Sequence, residues 1–312
     1  MGVRYAWRMQ SSSHFSAPDI PVGAPATTWT VRDVMALMES WYPAATAQSW
    51  DRVGLIIGDP DAPVRSILVA LDPTAAIADQ AVAGPRGDGN SYDMVITHHP
   101  LLLRGASFLP VTDPKGAVVT TLIRSGIALF NAHTNADVAC DGVATALADL
   151  IGLRDTVPLE PCGTDAEGRE IGLGRVGTVA ETTLGSFADH VASVLPAGPS
   201  GLFVGGDEAT PVSRVAVLGG AGDSALESAR AAGVDVYLTA DLRHHPASEH
   251  LEGGAPALLC GSHWATESPW LPVLARKLRE AASAADVELR VEVSTIVTEP
   301  WTSHRVTQGE LA

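Results

Sequence analysis

Strands and helices alternate along most of this chain, and that alternation limits the possible folds more than any other feature. Short runs rich in Val, Ile and Leu are each followed by a segment with the apolar spacing of an amphipathic helix. This order predicts mostly parallel sheets with helices packed on their faces. The predicted strands lie at 66–71, 92–97, 127–131, 214–218, 234–239 and 257–260, and the predicted helices at 31–41, 73–83, 115–124, 142–151, 224–232 and 269–282.

The length of 312 residues fits two domains of ordinary size. A stretch rich in Gly, Glu and Asp at 158–177 predicts the boundary between them. We expect a flexible extension at 1–28, a first α/β domain at 29–157, a second at 158–298 and a tail at 299–312. The run from Asp93 to Pro100 is echoed by the run from Asp235 to Pro246, which indicates two related halves. The predicted fold class is therefore a pair of related α/β domains with mostly parallel or mixed sheets and helices on both faces.

Composition excludes several classes of function. The chain has 20 basic and 36 acidic residues and a formal charge of -16, so a phosphate backbone would repel it and nucleic acid is not expected as a partner. Its only lysines, Lys115 and Lys277, do not stand in a Walker-type loop. No apolar run is long enough for a membrane helix, and the three cysteines are far apart, as is typical of a reducing compartment. We expect a cytoplasmic protein without a membrane partner.

Two adjacent histidines end a predicted strand. His98 and His99 follow directly on the strand at 92–97, at the edge where open α/β sheets place their ligands. Neighbouring side chains at a strand end point apart, so the pair could serve two ions rather than chelate one. A plain turn closed by Pro100 explains the same pattern equally well.

A second polar run follows the next strand. Asn131, His133, Asn135 and Asp137 leave the strand at 127–131, where the neighbouring parallel strands also end. We therefore expect His133 and Asp137 to lie near the histidine pair. Asx-turn hydrogen bonding at a helix start is the structural alternative.

A third candidate pair follows the strand at 257–260. If Glu267 lies in the first turn of a helix, a spacing of four lets His263 and Glu267 converge on one point, and a carboxylate can bridge two cations. A helix N-terminal charge is the alternative role for Glu267. Cys260 is a possible soft ligand, although a cysteine in an apolar strand is more often buried and inert.

Two glycine motifs suggest phosphate binding at first sight. Residues 172–177 have the glycine spacing of the dinucleotide-binding fingerprint. They precede a strand rather than follow one, which excludes a Rossmann site. Residues 219–223 do follow a strand and open a helix, where backbone N–H groups could hold a phosphate. Asp223 at that helix start favours ordinary N-capping instead.

Several of these motifs, in this order, resemble one family. It is the Nif-three-like dinuclear metal-centre family, whose members are also known as GTP cyclohydrolase I type 2 homologues. The likeness extends from about residue 30 to residue 294 and takes in the run from Trp50 to Gly54. The motifs that carry it are Thr97 to Pro100, His133 to Asp137, Gly172 to Gly177, Thr239 to Asp241 with His245, and Gly261 to Glu267.

The resemblance implies a metal site in the crevice between the domains. The ligand positions that it implies are His98, His99, Asp137, His263 and Glu267. His133 lies close by and is assigned to proton transfer or to orienting a ligand, with a loop-shaping hydrogen bond as the alternative. Two divalent ions per subunit (Zn, Fe, Mn or Co) and a homohexamer are further implications. The roles of Asp241 and His245 stay open.

Two classes of function remain open. A metal-dependent hydrolase would use the ions to supply hydroxide at neutral pH. The resemblance implies GTP as the substrate, with opening of its imidazole ring and release of formate, while another nucleotide or a phosphoester would suit the same ions. A non-catalytic metal-binding or regulatory assembly protein would instead close the coordination with protein ligands. Five protein ligands for two ions leave coordination positions open for water or substrate, which favours catalysis.

Overall fold

The computed structural model of the protein describes residues 28–85 and 89–307. The predicted extension lies outside these residues except for Thr28, and residues 308–312 of the predicted tail lie outside them as well. Within the described ranges, we find no helix of the length and apolar character needed to cross a membrane.

Thirteen strands and ten α-helices make up the described fold. The elements of the first half are β1 (Trp29–Thr30), α1 (Val31–Trp41), β2 (Gly54–Ile57), β3 (Pro63–Val64), β4 (Ser66–Ala70), α2 (Ala75–Ala83), β5 (Met94–Thr97), α3 (Pro114–Arg124), β6 (Ala128–Asn131), α4 (Thr134–Val138) and α5 (Val143–Leu150). Those of the second half are β7 (Arg154–Thr164), β8 (Glu170–Thr183), α6 (Leu184–Val194), β9 (Phe203–Gly205), β10 (Pro211–Ala221), α7 (Leu226–Ala231), β11 (Val236–Ala240), α8 (His244–Glu252), β12 (Ala257–Gly261), α9 (His263–Glu267), α10 (Trp270–Ala284) and β13 (Arg290–Val293).

The first sheet has the strand order β13-β4-β5-β6-β2, and only β2 is antiparallel to its neighbour. Helices cover both of its faces. Ile67 and Val69 of β4 pack with α1 and α10, whereas Leu68 packs with α2 and α3. Because both faces are buried, the strand is apolar from Ile67 to Ala70 and does not alternate with polar residues. A capping box between Thr30 and Asp33 starts α1 where the sequence predicts it.

The second sheet has the strand order β7-β8-β10-β11-β12-β9, with parallel pairing between β10, β11 and β12. The outer strands β7, β8 and β9 pair antiparallel. On one face Phe187 and Val191 of α6 pack against the sheet, and on the other face Leu226 of α7 does so. Two mixed sheets with helices on both faces confirm the predicted α/β fold class.

The two sheets are interleaved along the chain. The predicted boundary at 158–177 lies within β7 and β8, which form a hairpin of the second sheet. Gly172 allows the two strands of that hairpin to approach each other closely, since a Cβ at this position would lie 2.2 Å from the Glu160 carbonyl oxygen. After the second sheet the chain returns to the first: β13 pairs with β4, and Trp270 and Leu274 of α10 are buried in the first core.

The crevice between the sheets is lined by strand ends. The parallel strands β4, β5 and β6 end there from the first sheet, and β10, β11 and β12 end there from the second. Helix α5 ties the two sheets together, because Ala146 packs in the first core and Leu147 in the second. Side chains that follow different strands therefore meet in one place, as expected for ligand sites of open α/β sheets.

Truncation of Leu274 tests the placement of α10 in the first core. The side chain is completely buried, so Leu274→Ala should lower the free energy of unfolding by about 2–5 kcal/mol in urea denaturation. Ile123→Ala removes a side chain that is 60% exposed on α3 and should lower it by less than about 1 kcal/mol. Equal losses in the two variants would contradict this packing.

Candidate metal centre

His98 follows β5 and is completely buried. Its Nδ1 lies 2.9 Å from the Ala132 carbonyl oxygen, and because a carbonyl only accepts, Nδ1 carries a proton. Nε2 is thereby the nitrogen that faces the crevice. It forms no hydrogen bond with any described residue, and it lies 3.6 Å from both Asp137 Oδ1 and Glu267 Oε1. A buried imidazole nitrogen without a partner, beside two carboxylates, fits a metal ligand.

Three further imidazoles in the crevice are held through Nδ1 by carboxylates. The pairs are His99 with Asp72 at 2.7 Å, His133 with Asp51 at 3.0 Å and His263 with Asp241 at 2.7 Å. A carboxylate on one ring nitrogen fixes the orientation of the ring and makes the other nitrogen a better ligand. All four imidazoles are therefore oriented before any ion binds.

Glu267 connects the imidazoles of the two sheets. It ends the short helix α9, where its Oε1 lies 3.0 Å from Nε2 of His263 one turn earlier. Its Oε2 lies 3.0 Å from Nε2 of His99, which follows β5 of the first sheet, although the angle does not make this contact a hydrogen bond. The Nε2 atoms of His99 and His263 are themselves only 3.3 Å apart. The carboxylate thus stands where it could bridge two cations, as the spacing of four predicts.

The charges in the crevice shift several pKa values strongly. Burial would raise the pKa of Glu267, but its coulombic interactions with the imidazoles of His98 and His99 outweigh burial and hold that pKa well below its usual range. Burial lowers the pKa of His99, yet the charge of Glu267 raises it to about 10. For Asp137, burial is the main cause of a pKa of about 6. In the absence of a cation the nearby carboxylates keep the imidazoles of His99 and His263 protonated, since the pKa of His263 is raised to about 9, and a divalent ion would replace those protons.

The structure brings every predicted site residue to this crevice. Metal-ligand atoms form two overlapping groups that share His99, with the atoms of each group within 4.8 Å of one another: His98, His99 and His133; and His99, His263 and Glu267. Asp137 joins them through its contact with His98. Cys260 belongs to neither group, and its thiol points to the Gly261 carbonyl oxygen at 3.8 Å. The metal-binding role of these residues stays a prediction.

Two anchoring carboxylates were missed by sequence reasoning. Asp72 lies just beyond β4 and therefore carries the same strand-end signal that singled out the histidines. Asp51 precedes β2, and it reaches the crevice only because β2 runs antiparallel to β6 and begins where β6 ends. It is buried and also accepts hydrogen bonds from the N–H and the hydroxyl of Thr134. The anchor for His133 thus depends on a strand pairing that its own segment does not reveal.

The glycine motif at 219–223 forms a wall of the site. At Gly220, where φ is +70°, a Cβ would lie 2.1 Å from Glu267 Oε1, so glycine allows the main chain to approach the carboxylate. The predicted N-capping by Asp223 is wrong: it caps neither the 3-10 turn at 223–225 nor α7. Its carboxylate instead binds the Arg243 main-chain N–H at 3.1 Å and the Arg243 guanidinium, so these groups take the place of the helix N–H groups that a cap would bind.

Fold and crevice together define an α/β protein with a candidate two-ion centre between two mixed sheets. A family model for Duf34/NIF3 (NGG1p interacting factor 3) matches residues 29–300, and the chain belongs to this family. This confirms the family predicted from the motifs.

The chain is similar to curated proteins over most of its length. A GTP cyclohydrolase 1 type 2 homolog of Streptomyces coelicolor is 46% identical over 273 residues, which cover 87% of this chain and 93% of that protein. A protein of the same name from Mycobacterium tuberculosis is 33% identical, covering 86% and 96%. Among solved structures, a hypothetical protein of Staphylococcus aureus is similar with a TM-score of 0.80 at 28% identity, covering 89% of this chain and all of that one.

Two glycine substitutions separate backbone strain from crowding at Glu267. Gly233 has φ +63° and open space around it, so Gly233→Ala should lower the free energy of unfolding by about 1–2 kcal/mol through strain alone. Gly220→Ala adds the clash with Glu267 and should cost about 1–3 kcal/mol more. Urea denaturation of both variants measures the difference. Equal losses would mean that Gly220 does not confine the carboxylate.

Proposed function

We propose that the protein is a hydrolase that depends on two divalent metal ions. The observation that carries the proposal is the pair of ligand groups that share His99, with the buried carboxylate of Glu267 between the sheets. The unpartnered buried Nε2 of His98 supports it, because an orphaned polar atom costs stability unless something binds it. Imidazole and carboxylate ligands suit Zn, Fe, Mn or Co.

The ions would be held by His98, His99, Asp137, His263 and Glu267. When bound, they would lower the pKa of a water molecule and so supply hydroxide near neutral pH. The chain's own residues have two further tasks. Asp72 and Asp241 keep the Nε2 atoms of His99 and His263 turned into the crevice. His133, oriented by Asp51, is available to pass a proton to a leaving group.

A cavity of about 470 Å³ adjoins the candidate centre and supports catalysis over metal storage. Its lining includes His133, Asp137, His263 and Glu267, so a small molecule in the cavity would contact the ligand groups directly. A structural metal site is normally closed by protein ligands and has no such space beside it. The non-catalytic alternative, a metal-binding or regulatory assembly protein, receives no comparable support.

The names of the curated relatives support GTP, or another nucleotide, as the substrate. The reaction proposed on that basis is opening of the imidazole ring of GTP with release of formate. A phosphoesterase using the same ions is the alternative, since two ions can stabilise attacking and leaving oxygens. We also propose a homohexamer acting in the cytoplasm. Metal analysis, followed by a screen of nucleotides and phosphoesters with and without the metal found, tests the activity.

Metal content should depend on Glu267 and not on Cys260. After reconstitution with Zn, Mn, Fe or Co, the protein should hold about two ions per subunit, because its donors form two ligand groups. Glu267→Gln should reduce this to about one or fewer, since the substitution removes a charged ligand. Cys260→Ser is the control and should keep both ions. Protein that binds no ion, or equal losses in the two variants, would contradict the assignment.

Replacement of His133 separates proton transfer from metal binding. His133→Ala should keep about two ions and the fold while turnover falls about a hundredfold or more, the usual contribution of a general acid. His190→Ala is the control, because that imidazole hydrogen-bonds the Ile151 carbonyl instead. Loss of metal together with activity would make His133 a ligand, in line with its place beside His98 and His99. Unchanged turnover would reduce it to a structural residue of the loop.

A further inference from the structure

Trp50 is a large aromatic side chain left in solvent at the cavity beside the candidate centre. It is 55% exposed and lines the same cavity as His263 and Glu267. Its indole meets the His133 ring edge to face, with the ring centroids 5.9 Å apart. More than half of the surface of this residue is thus left uncovered by the fold, so the face of the indole is available to a ligand in the cavity.

The main chain on both sides of Trp50 is firmly held. The Gln48 N–H donates to the Thr134 hydroxyl at 2.9 Å. The buried carboxylate of Asp51 accepts from Thr134 and from the Arg52 N–H at 2.7 Å. The indole is therefore presented to the cavity by a fixed segment, and a ligand that covers it would not have to order a loop first.

Away from the proposed metal ions, the walls of the cavity are poorly suited to phosphate. Three carboxylates line it, from Asp137, Glu160 and Glu267, and no Lys or Arg of the described residues does. Phosphate recognition uses Arg or Lys in most sites, and acidic walls repel it. The part of a ligand that enters this space is thus uncharged or cationic, and any phosphate group must lie outside the cavity or on the metal ions.

Glu160 supplies a fixed acceptor in the same cavity. One of its oxygens, Oε1, accepts a hydrogen bond from the Ser228 hydroxyl, which sets the orientation of the carboxylate. The other oxygen has no hydrogen bond to a described residue and so can accept from a ligand. A planar ring that carries N–H groups would satisfy both features, because its face can stack on an indole while its edge donates to a carboxylate.

We propose that Trp50 is the stacking surface of a substrate subsite in this cavity, and that the group it holds is a planar heteroaromatic ring whose N–H donors bind Glu160. This inference rests on the proposed function in that the ring lies beside the ions. The proposed function and the proposed subsite are tested by different measurements. Metal content tests the ions, whereas the affinity for a ring-bearing probe tests the subsite and can be measured in metal-free protein as well.

The test compares three probes by calorimetry on the full protein, with metal content measured in each preparation. Guanosine carries the ring and N–H donors, purine riboside carries a ring without such donors, and ribose 5-phosphate has no ring. Guanosine should bind at least about tenfold more tightly than ribose 5-phosphate, because stacking of one base on an aromatic side chain contributes about that much affinity.

Four variants locate the subsite. Trp50→Ala should weaken guanosine binding about tenfold or more at unchanged metal content, and Trp50→Phe should restore most of it. Trp301→Ala is the matched control, since that indole is 67% exposed and does not line the cavity. Glu160→Gln should weaken the binding of guanosine about tenfold and change the binding of purine riboside by less than about threefold. Only guanosine has N–H groups that can donate to the Glu160 carboxylate.

Three results would overturn the inference. One is guanosine binding that Trp50→Ala leaves unchanged or that Trp301→Ala weakens equally. Another is ribose 5-phosphate binding as tightly as guanosine. A third is metal-loaded protein that binds neither guanosine nor purine riboside, which would reject the subsite while the two-ion proposal stands.

Discussion

Each imidazole in the crevice is held by a bond from its Nδ1 to an acceptor that comes from a different part of the chain. For His98 the acceptor is a main-chain carbonyl, and for His99, His133 and His263 it is a carboxylate. These bonds decide which nitrogen faces the crevice, and they oppose rotation of the rings. The approach of Glu267 to imidazoles of both sheets depends on them, because it requires Nε2 atoms that point inward.

Local patterns in the sequence predicted the parts of the fold and the site that depend on local geometry. Strands β4, β5 and β6 are buried at every residue because helices cover both sides of the sheet, so a short and mostly apolar run identifies them. The convergence of His263 and Glu267 follows from one turn of helix. The meeting of the histidines follows from parallel strands that end at the same edge.

The features that escaped prediction depend on partners far away in the chain. Asp51 reaches His133 through an antiparallel strand whose direction no local pattern reveals. Asp223 has the position of a helix cap, yet its carboxylate binds the main-chain N–H and the guanidinium of Arg243, twenty residues later in the chain. The glycines at 158–177 look like a linker, but two long strands that approach closely require glycine as well. In each case the same residue type serves a local and a long-range purpose, and only the fold decides between them.

The return of the chain to its first sheet has a consequence for biosynthesis. Strand β4 is made early but has its outer edge paired by β13, whose residues Arg290–Val293 leave the ribosome more than two hundred residues later. Until then the β4 edge is open, and the apolar face that later packs on Trp270 and Leu278 is uncovered. Open strand edges and exposed apolar faces attract other nascent chains. The first sheet can therefore be completed only after synthesis reaches the last strand, and until then its open edge is accessible to other chains.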